Sequence, residues 1–206
     1  QKIERDRAHV TGGVRFGKTT GAPVSIDVEN RDWENWEVRM SAFGSAPEGY
    51  QREVTPRPGH ADLVGVLRNN TDDCRNILER SSARETAARV AACGIAKEFL
   101  AELDVEVMSY VTSIGSAAMA DDGYDRAASY EPVQVEFSET RCPDERATEA
   151  MKGEIDAAKE AGESLGGTFR VVAKGLVPGL GDYASGRARL TSKLAAAVFS
   201  IPAIKG

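Results

Sequence analysis

The stretch SSARETAARVAACGIAKEFLAEL, residues 81–103, constrains the fold more than any other. Ser82 followed by Glu85 is a capping-box pattern, and Ala87, Val90, Ala91, Gly94 and Ile95 recur at helical spacing. The pattern predicts a long helix that starts at Ser81 or Ser82 and has a face of small side chains, which another element can approach closely. It runs into DVEVMSYVTSI, residues 104–114, whose alternation predicts a strand closed by Gly115. Strands are also expected at 7–14 and 22–29, around Gly-rich turns, and in GGTFRVVAKGLV (166–177). VQVEF (133–137) reads as a short strand after a weakly patterned loop. Helices are expected in CPDERATEAMKGEIDAAKEAG (142–162), with Pro143 near its first turn, and in LTSKLAAAVFSI (190–201). PGLGDYASG, between the last strand and the last helix, is a Gly-rich loop. Strands and helices interleave without short regular βαβ repeats, so the expected class is α+β with antiparallel pairing, in a single domain over 1–206.

Residues 41–62, rich in Gly, Pro and charge, predict a long loop, a length usually tied to function or mobility. Just before it, Trp33 and Trp36 in DWENWEVRM are expected to anchor a loop or short helix on the core. The loop ends in TPRPGHAD, residues 55–62, which holds His60, one of only two histidines. Pro58 fixes its own φ and biases Arg57 toward extended backbone, while Gly59 can adopt angles closed to other residues. Two readings follow: a surface turn with a solvated histidine, or a stiff bend that holds Arg57 and His60 in set directions.

Downstream, Arg75, Arg80, Arg84 and Arg89 cluster at or near the expected helix start, with Ser81, Ser82 and free backbone N–H groups at the same place. Arg80 and Arg84, four apart, are expected to share a helix face. Arginines at a helix N-terminus oppose the dipole, which favours a bound anion there. The competing reading pairs Arg80 and Arg84 with Glu79, Glu85, Asp72 or Asp73.

Gly12, Gly17, Lys18 and Thr19 match the phosphate-cradling pattern G-x-x-x-x-G-K-[ST]. That chemistry requires a helix directly after Lys-Thr. Here Gly21 and Pro23 interrupt one and a β-branched run follows, so a hairpin with an exposed Lys18 is expected. The three cysteines, Cys74, Cys93 and Cys142, are odd in number and far apart, which fits neither a disulfide framework nor a zinc site. They read as reduced thiols, with Cys93 in a helix, and no metal is expected. Net charge is −6, which argues against general nucleic-acid binding. No apolar run approaches the roughly 20 residues of a membrane span, and QKIERDRAHV lacks signal-peptide character, so a cytoplasmic location is expected.

TPRPGHADLVG followed by ILERSSARETAARVAACGIAK resembles chorismate synthase, and the similarity continues in GGVRFGKTTGAPVSI, GESLGGTFRVVAKGLVPGLG and LAAAVFSIPAIKG. These stretches cover most of the chain in the family's order, and 116–150 match poorly. The resemblance implies helices sandwiched between antiparallel sheets, a homotetramer, and a lyase of aromatic amino-acid biosynthesis. It implies 1,4-anti elimination of phosphate from 5-enolpyruvylshikimate 3-phosphate, giving chorismate. Reduced FMN is required although the overall reaction is redox-neutral, and NADPH serves as reductant in some members. By the same resemblance His60 acts in proton transfer near the flavin; Arg57, Ser82 and Arg84 contact the substrate; and Arg80, Ser81, Ser82, Pro202 and Ala203 contact FMN. A histidine's ordinary pKa near 6.5 suits proton transfer. His9 sits in a strand-like segment without matching neighbours and is not recruited.

The chain departs from the family pattern in several ways. The family's Ser-His-Gly segment, with a second catalytic histidine, and its segments after AIKG are not matched within the chain, so the stretch alone is expected to be inactive. Leu67-Arg68-Asn69-Asn70 stands where the family usually has Lys-Tyr, and Pro202 where it usually has Asn or Gln. Proline offers neither an N–H nor a side-chain amide to the flavin. Two alternatives remain: a non-catalytic flavin- or anion-binding module, and a nucleotidase using Gly12–Thr19. The nucleotidase needs a helix after Thr19; the enzyme needs His60, Arg57 and Arg84 in one cleft.

Overall fold

The computed structural model describes residues 6–81, 83–121 and 123–206. The chain divides into two compact units, residues 1–96 and 97–206. In the first, strand β1 (Ala8–Gly12) pairs antiparallel with β4 (Ser25–Val28), His9 opposite Asp27 and Val10 opposite Ile26. Between them β2 (Val14–Arg15) and β3 (Lys18–Thr19) form a small antiparallel hairpin. Its two-residue loop, Phe16 and Gly17, has φ of 51° and 75°, the doubly positive backbone whose twist matches flanking strands. Lys18 is exposed, and the chain after Thr19 leads into β4 with no helix. The phosphate-loop pattern therefore has no helix N-terminus behind it, which removes the nucleotidase.

A 3-10 turn, Trp33–Asn35, follows β4. Asp32 ties it down by accepting from Asn35 Nδ2 at 2.7 Å and Trp36 Nε1 at 2.6 Å. The guanidinium of Arg75 lies 4.9 Å over the Trp36 ring. After the long loop come α1 (Asp62–Asn69), closed by Asn70 in the left-handed region, then α2 (Arg75–Arg80) and α3 (Ala83–Ala101). The expected single helix start is thus two helices. Arg80 is the last residue of α2 and Arg84 lies in the first turn of α3, so they do not share a continuous helix face. The capping-box reading involves Ser82, which lies outside the described residues. On the small-residue face of α3, Ala87 and Ala91 look across a cavity toward Val24, Ile26 and Val28 of the β4 region.

In the second unit β5 (Glu106–Ile114) is the centre of a three-stranded antiparallel sheet, flanked by β6 (Ala117–Ala118) and β7 (Gly167–Lys174). The β5–β7 register runs from Glu106 opposite Lys174 to Ile114 opposite Gly167, with an irregularity between Val111 and Ser113. Alternation puts Met108 and Tyr110 on the buried face, where they pack with Val172, Ala127 and Val135. A second cluster joins Cys142, Ala147 and Met151 of α6 (Glu145–Ala161) and the segment before it. Asp144 caps α6 by accepting from the amide of Ala147 at 3.0 Å, and Gly162 ends it at φ 70°.

Two expectations fail in this unit. The loop after Gly115 contains β6 and α4 (Gly123–Ser129), and VQVEF is helical, in α5 (Pro132–Glu136). Pro132 at the first helical turn and a reciprocal cap between Glu131 and Gln134 override the period-2 apolar pattern there. The last helix, α7 (Leu190–Phe199), forms where expected. Helices and antiparallel sheets together make the α+β class, as the sequence predicts. No helix among the described residues is long and apolar enough to cross a membrane.

Candidate functional site

The geometry around His60 starts from a turn. The His60 amide donates to the Arg57 carbonyl at 3.3 Å, and Gly59 between them has φ 70°. Proline at the second position, a positive-φ glycine at the third and the closing hydrogen bond are the features of a type II β-turn. This is the stiff bend expected from Arg-Pro-Gly-His, and it sets the side chains of Arg57 and His60 beside each other.

What they share is Asp62, the first residue of α1 and completely shielded from solvent. Its Oδ2 accepts from the backbone amide of Arg57 at 2.9 Å and from Arg57 Nε at 2.9 Å. Its Oδ1 accepts from Arg57 Nη2 at 3.2 Å and lies 2.7 Å from His60 Nδ1. A buried carboxylate is costly unless it is paired and hydrogen-bonded. Here the Arg57 side chain holds the Asp62 carboxyl well below the usual range; burial opposes this, and the Arg57 amide and His60 add to it. The start of α1 also places its positive dipole end at the carboxylate. The His60 side chain is 31% exposed and that of Arg57 49%. Both are therefore open to a ligand on one side while anchored on the other. Arg57 keeps Nη1 without a hydrogen-bond partner among the described residues.

The loop leading into the turn is fastened independently. Asp73 Oδ2 accepts from the Tyr50 hydroxyl at 2.8 Å, and Asp73 Oδ1 accepts from the amides of Glu53 at 3.2 Å and Arg75 at 2.9 Å. The Glu53 carbonyl in turn accepts from the Cys74 amide at 2.7 Å. Burial acts to raise the Asp73 pKa, but the Arg75 amide, the Tyr50 hydroxyl and the Glu53 amide outweigh it and lower the carboxyl. The same bond raises the Tyr50 phenol. Residues 50–53 are thus held to the start of α2, a few residues before the histidine turn.

Arg84 has different partners. Its Nη1 meets Asp6 Oδ2 at 3.0 Å and its Nη2 donates to the Val28 carbonyl at 2.5 Å, beside the β4–α3 cavity. The acids considered as partners for Arg80 and Arg84 have other ties: Asp72 with Arg52, Glu79 with Arg75, Glu85 with Arg89, and Asp73 as above. Arg80 is exposed at the end of α2, and neither its guanidinium nor the Ser81 hydroxyl has a hydrogen-bond partner among the described residues. Ser82 lies outside the described residues. Pro202 and Ala203 belong to the second unit, in a turn after α7 closed by Ile204 N–H to the Ile201 carbonyl at 3.3 Å. Ala203 has φ 68° there, a conformation that strains any residue with a Cβ.

Sequence reasoning missed Asp62. The signal was a carboxylate two residues after the histidine, at the first turn of an amphipathic segment. Nothing in the string says that it is buried.

Comparison with known proteins gives a consistent result. The family model described as chorismate synthase matches residues 1–206. A chorismate synthase from Rubrobacter xylanophilus is 54% identical over 209 residues, covering 100% of this chain and 52% of that protein. One from Aquifex aeolicus is 45% identical over 212 residues, covering 100% and 53%. A crystal structure of chorismate synthase superposes with a TM-score of 0.79 at 40% identity, covering 98% of this chain and 54% of that one. The chain spans about half the length of the relatives it matches. With a family model matched from the first residue to the last, the chain belongs to the chorismate synthase family.

Proposed function

We propose that the protein to which this chain contributes is a carbon–oxygen lyase that eliminates phosphate from 5-enolpyruvylshikimate 3-phosphate to give chorismate. The match to the family model over the whole chain carries this reading. The Arg57–His60–Asp62 cluster supports it, because it supplies a protonatable ring and a cation at one partly open corner. Arg57 balances substrate negative charge through the part of its guanidinium that Asp62 does not occupy. His60 moves a proton close to the reacting centre. Arg84 and Ser82 are assigned to the substrate by the family resemblance alone, since the described partners of Arg84 are Asp6 and the Val28 carbonyl and not the Arg57–His60–Asp62 cluster.

The cofactor in this reading is reduced FMN, with NADPH as reductant where the protein reduces its own flavin. The α2–α3 junction fits an anionic, hydrogen-bonding group, since the Arg80 guanidinium and the Ser81 hydroxyl have no hydrogen-bond partner there among the described residues. Ser82, Pro202 and Ala203 complete the assignment. The group these residues would hold, reduced FMN, would supply transient electron donation to the substrate during loss of phosphate, with no net redox change. Assembly as a homotetramer and a cytoplasmic location belong to the same reading.

The test is anaerobic phosphate release from the enolpyruvyl substrate with reduced FMN. It compares the full-length protein with its His60→Ala variant. The variant should be slower by about 10²- to 10⁴-fold, the usual contribution of a positioned acid–base group. An unchanged rate removes the proton-transfer role of His60. Flavin binding without turnover in the full-length protein points instead to a binding module.

A further inference from the structure

We propose that Asp62 is a positioning residue that locks the His60 ring in the form protonated on Nδ1, leaving Nε2 as the nitrogen that exchanges the proton. The proposal rests on the reading of His60 given above. It follows from counting donors. A carboxylate offers about four lone-pair sites, and an arginine side chain only donates. Asp62 already receives the Arg57 amide and Nε on Oδ2, and Arg57 Nη2 on Oδ1. The fourth site faces His60 Nδ1 at 2.7 Å, a distance at which one partner must carry a hydrogen. Asp62 is ionised and carries none, so the hydrogen is on Nδ1.

The approach of Arg57 Nη2 to the same Nδ1, at 3.0 Å, offers the only other assignment. In it Nδ1 is bare and accepts from Arg57. That sets a nitrogen lone pair against a carboxylate oxygen at 2.7 Å and exchanges a charge-assisted bond for a repulsion. Nη2 carries two hydrogens and gives one to Oδ1 in either assignment, so the 2.7 Å contact of Nδ1 with the carboxylate decides the tautomer. Since the bond at one ring nitrogen decides which nitrogen is protonated, the neutral ring presents a bare Nε2. This atom has no hydrogen-bond partner among the described residues, and the side chain is part-exposed. Among the described residues Cys74 also neighbours Asp62, and Arg57 is influenced in turn by Glu79.

The experiment is ¹⁵N NMR of ring-labelled histidine in the full-length protein, with the His60 signal assigned by its loss in His60→Gln. Above the histidine titration, wild type should show a protonated Nδ1 and an unprotonated Nε2. Asp62→Ala should shift His60 toward the Nε2-protonated form, and the near-isosteric Asp62→Asn should weaken the preference. In phosphate release, Asp62→Asn should lower kcat by about 10- to 10³-fold with a smaller change in KM, and should shift the pH profile. An Nε2-protonated ring in wild type overturns the proposal, whether or not any variant folds, and leaves the role of His60 intact. A folded Asp62 variant with wild-type tautomer and kcat also overturns it. A silent His60→Ala variant instead removes the proton-transfer reading and the Nε2 assignment with it.

Discussion

Gly65 sits in the middle of α1, three residues after Asp62, and its backbone is helical. Helix propensity alone says that alanine there should stabilise by about 1 kcal/mol. The packing of α1 on α2 says the reverse. A Cβ at position 65 lies 2.9 Å from Ile77 Cγ1 and closer still to Cγ2, against an ordinary carbon–carbon separation of about 3.5–4.0 Å. These Ile77 atoms sit next to its backbone on a β-branched side chain with one strongly preferred rotamer, so they cannot swing away. Relief requires α1 and α2 to separate. Overpacking of this kind costs roughly 1–3 kcal/mol, which meets or exceeds the propensity gain. Gly65→Ala should therefore be destabilised by up to about 2 kcal/mol, and by an m-value of roughly 1–3 kcal/mol/M its urea midpoint should fall by a few tenths of a molar or more. The helix shift also moves Asp62, so the His60 ring signals should change. Ile77→Ala in the same background removes both clashing carbons. The double variant should lose less stability than the sum of the singles, by about 1 kcal/mol. Circular dichroism followed through urea decides it: Gly65→Ala at or above wild-type stability, or strict additivity with Ile77→Ala, refutes the packing argument.

The cysteines and the acid limb give two further tests. Cys93 is exposed on α3, whereas Cys74 and Cys142 are 3% and 2% exposed and burial pushes both thiols up. A chromogenic disulfide reagent should react with Cys93 quickly and with the other two only in denaturant; fast reaction at Cys74 contradicts the packing beside Asp62. Asp62 titrates lower in the folded chain than in the unfolded one, so its ion pair stabilises above the ordinary carboxylate pKa and is lost as pH falls below about 4. The stability gap between wild type and Asp62→Asn should be largest near pH 6 and shrink toward pH 3; a gap independent of pH refutes the assignment.

Much of this was legible in the string because local signals agreed. Pro58 and Gly59 specify the type II turn, the alternation of Met108 and Tyr110 specifies β5, and Asp144 with Gly162 brackets α6. Failures came where two local signals competed. Val133 and Val135 alternate like a strand, yet the cap at Glu131 and Gln134 sets a helix. The chain breaks at Ser81 without proline or glycine, and serine only weakly marks such a break. That break is why Arg80 and Arg84 do not lie on one helix face. The role of Asp62 was illegible for another reason. Whether a charged side chain is buried depends on what packs over it, here Cys74 and the packing of α2 on α1, and no spacing rule reports that.

The contacts that orient the imidazole all arise within the six residues from Arg57 to Asp62. Closing so short a span surrenders little chain entropy, and among the described residues no distant strand or helix supplies a hydrogen bond to the carboxylate. Sequence drift that leaves the backbone of α1 in place can alter stability or ligand fit without re-aiming the ring, so this hexapeptide behaves as a self-contained bearing whose carboxylate the surrounding scaffold has only to keep dry.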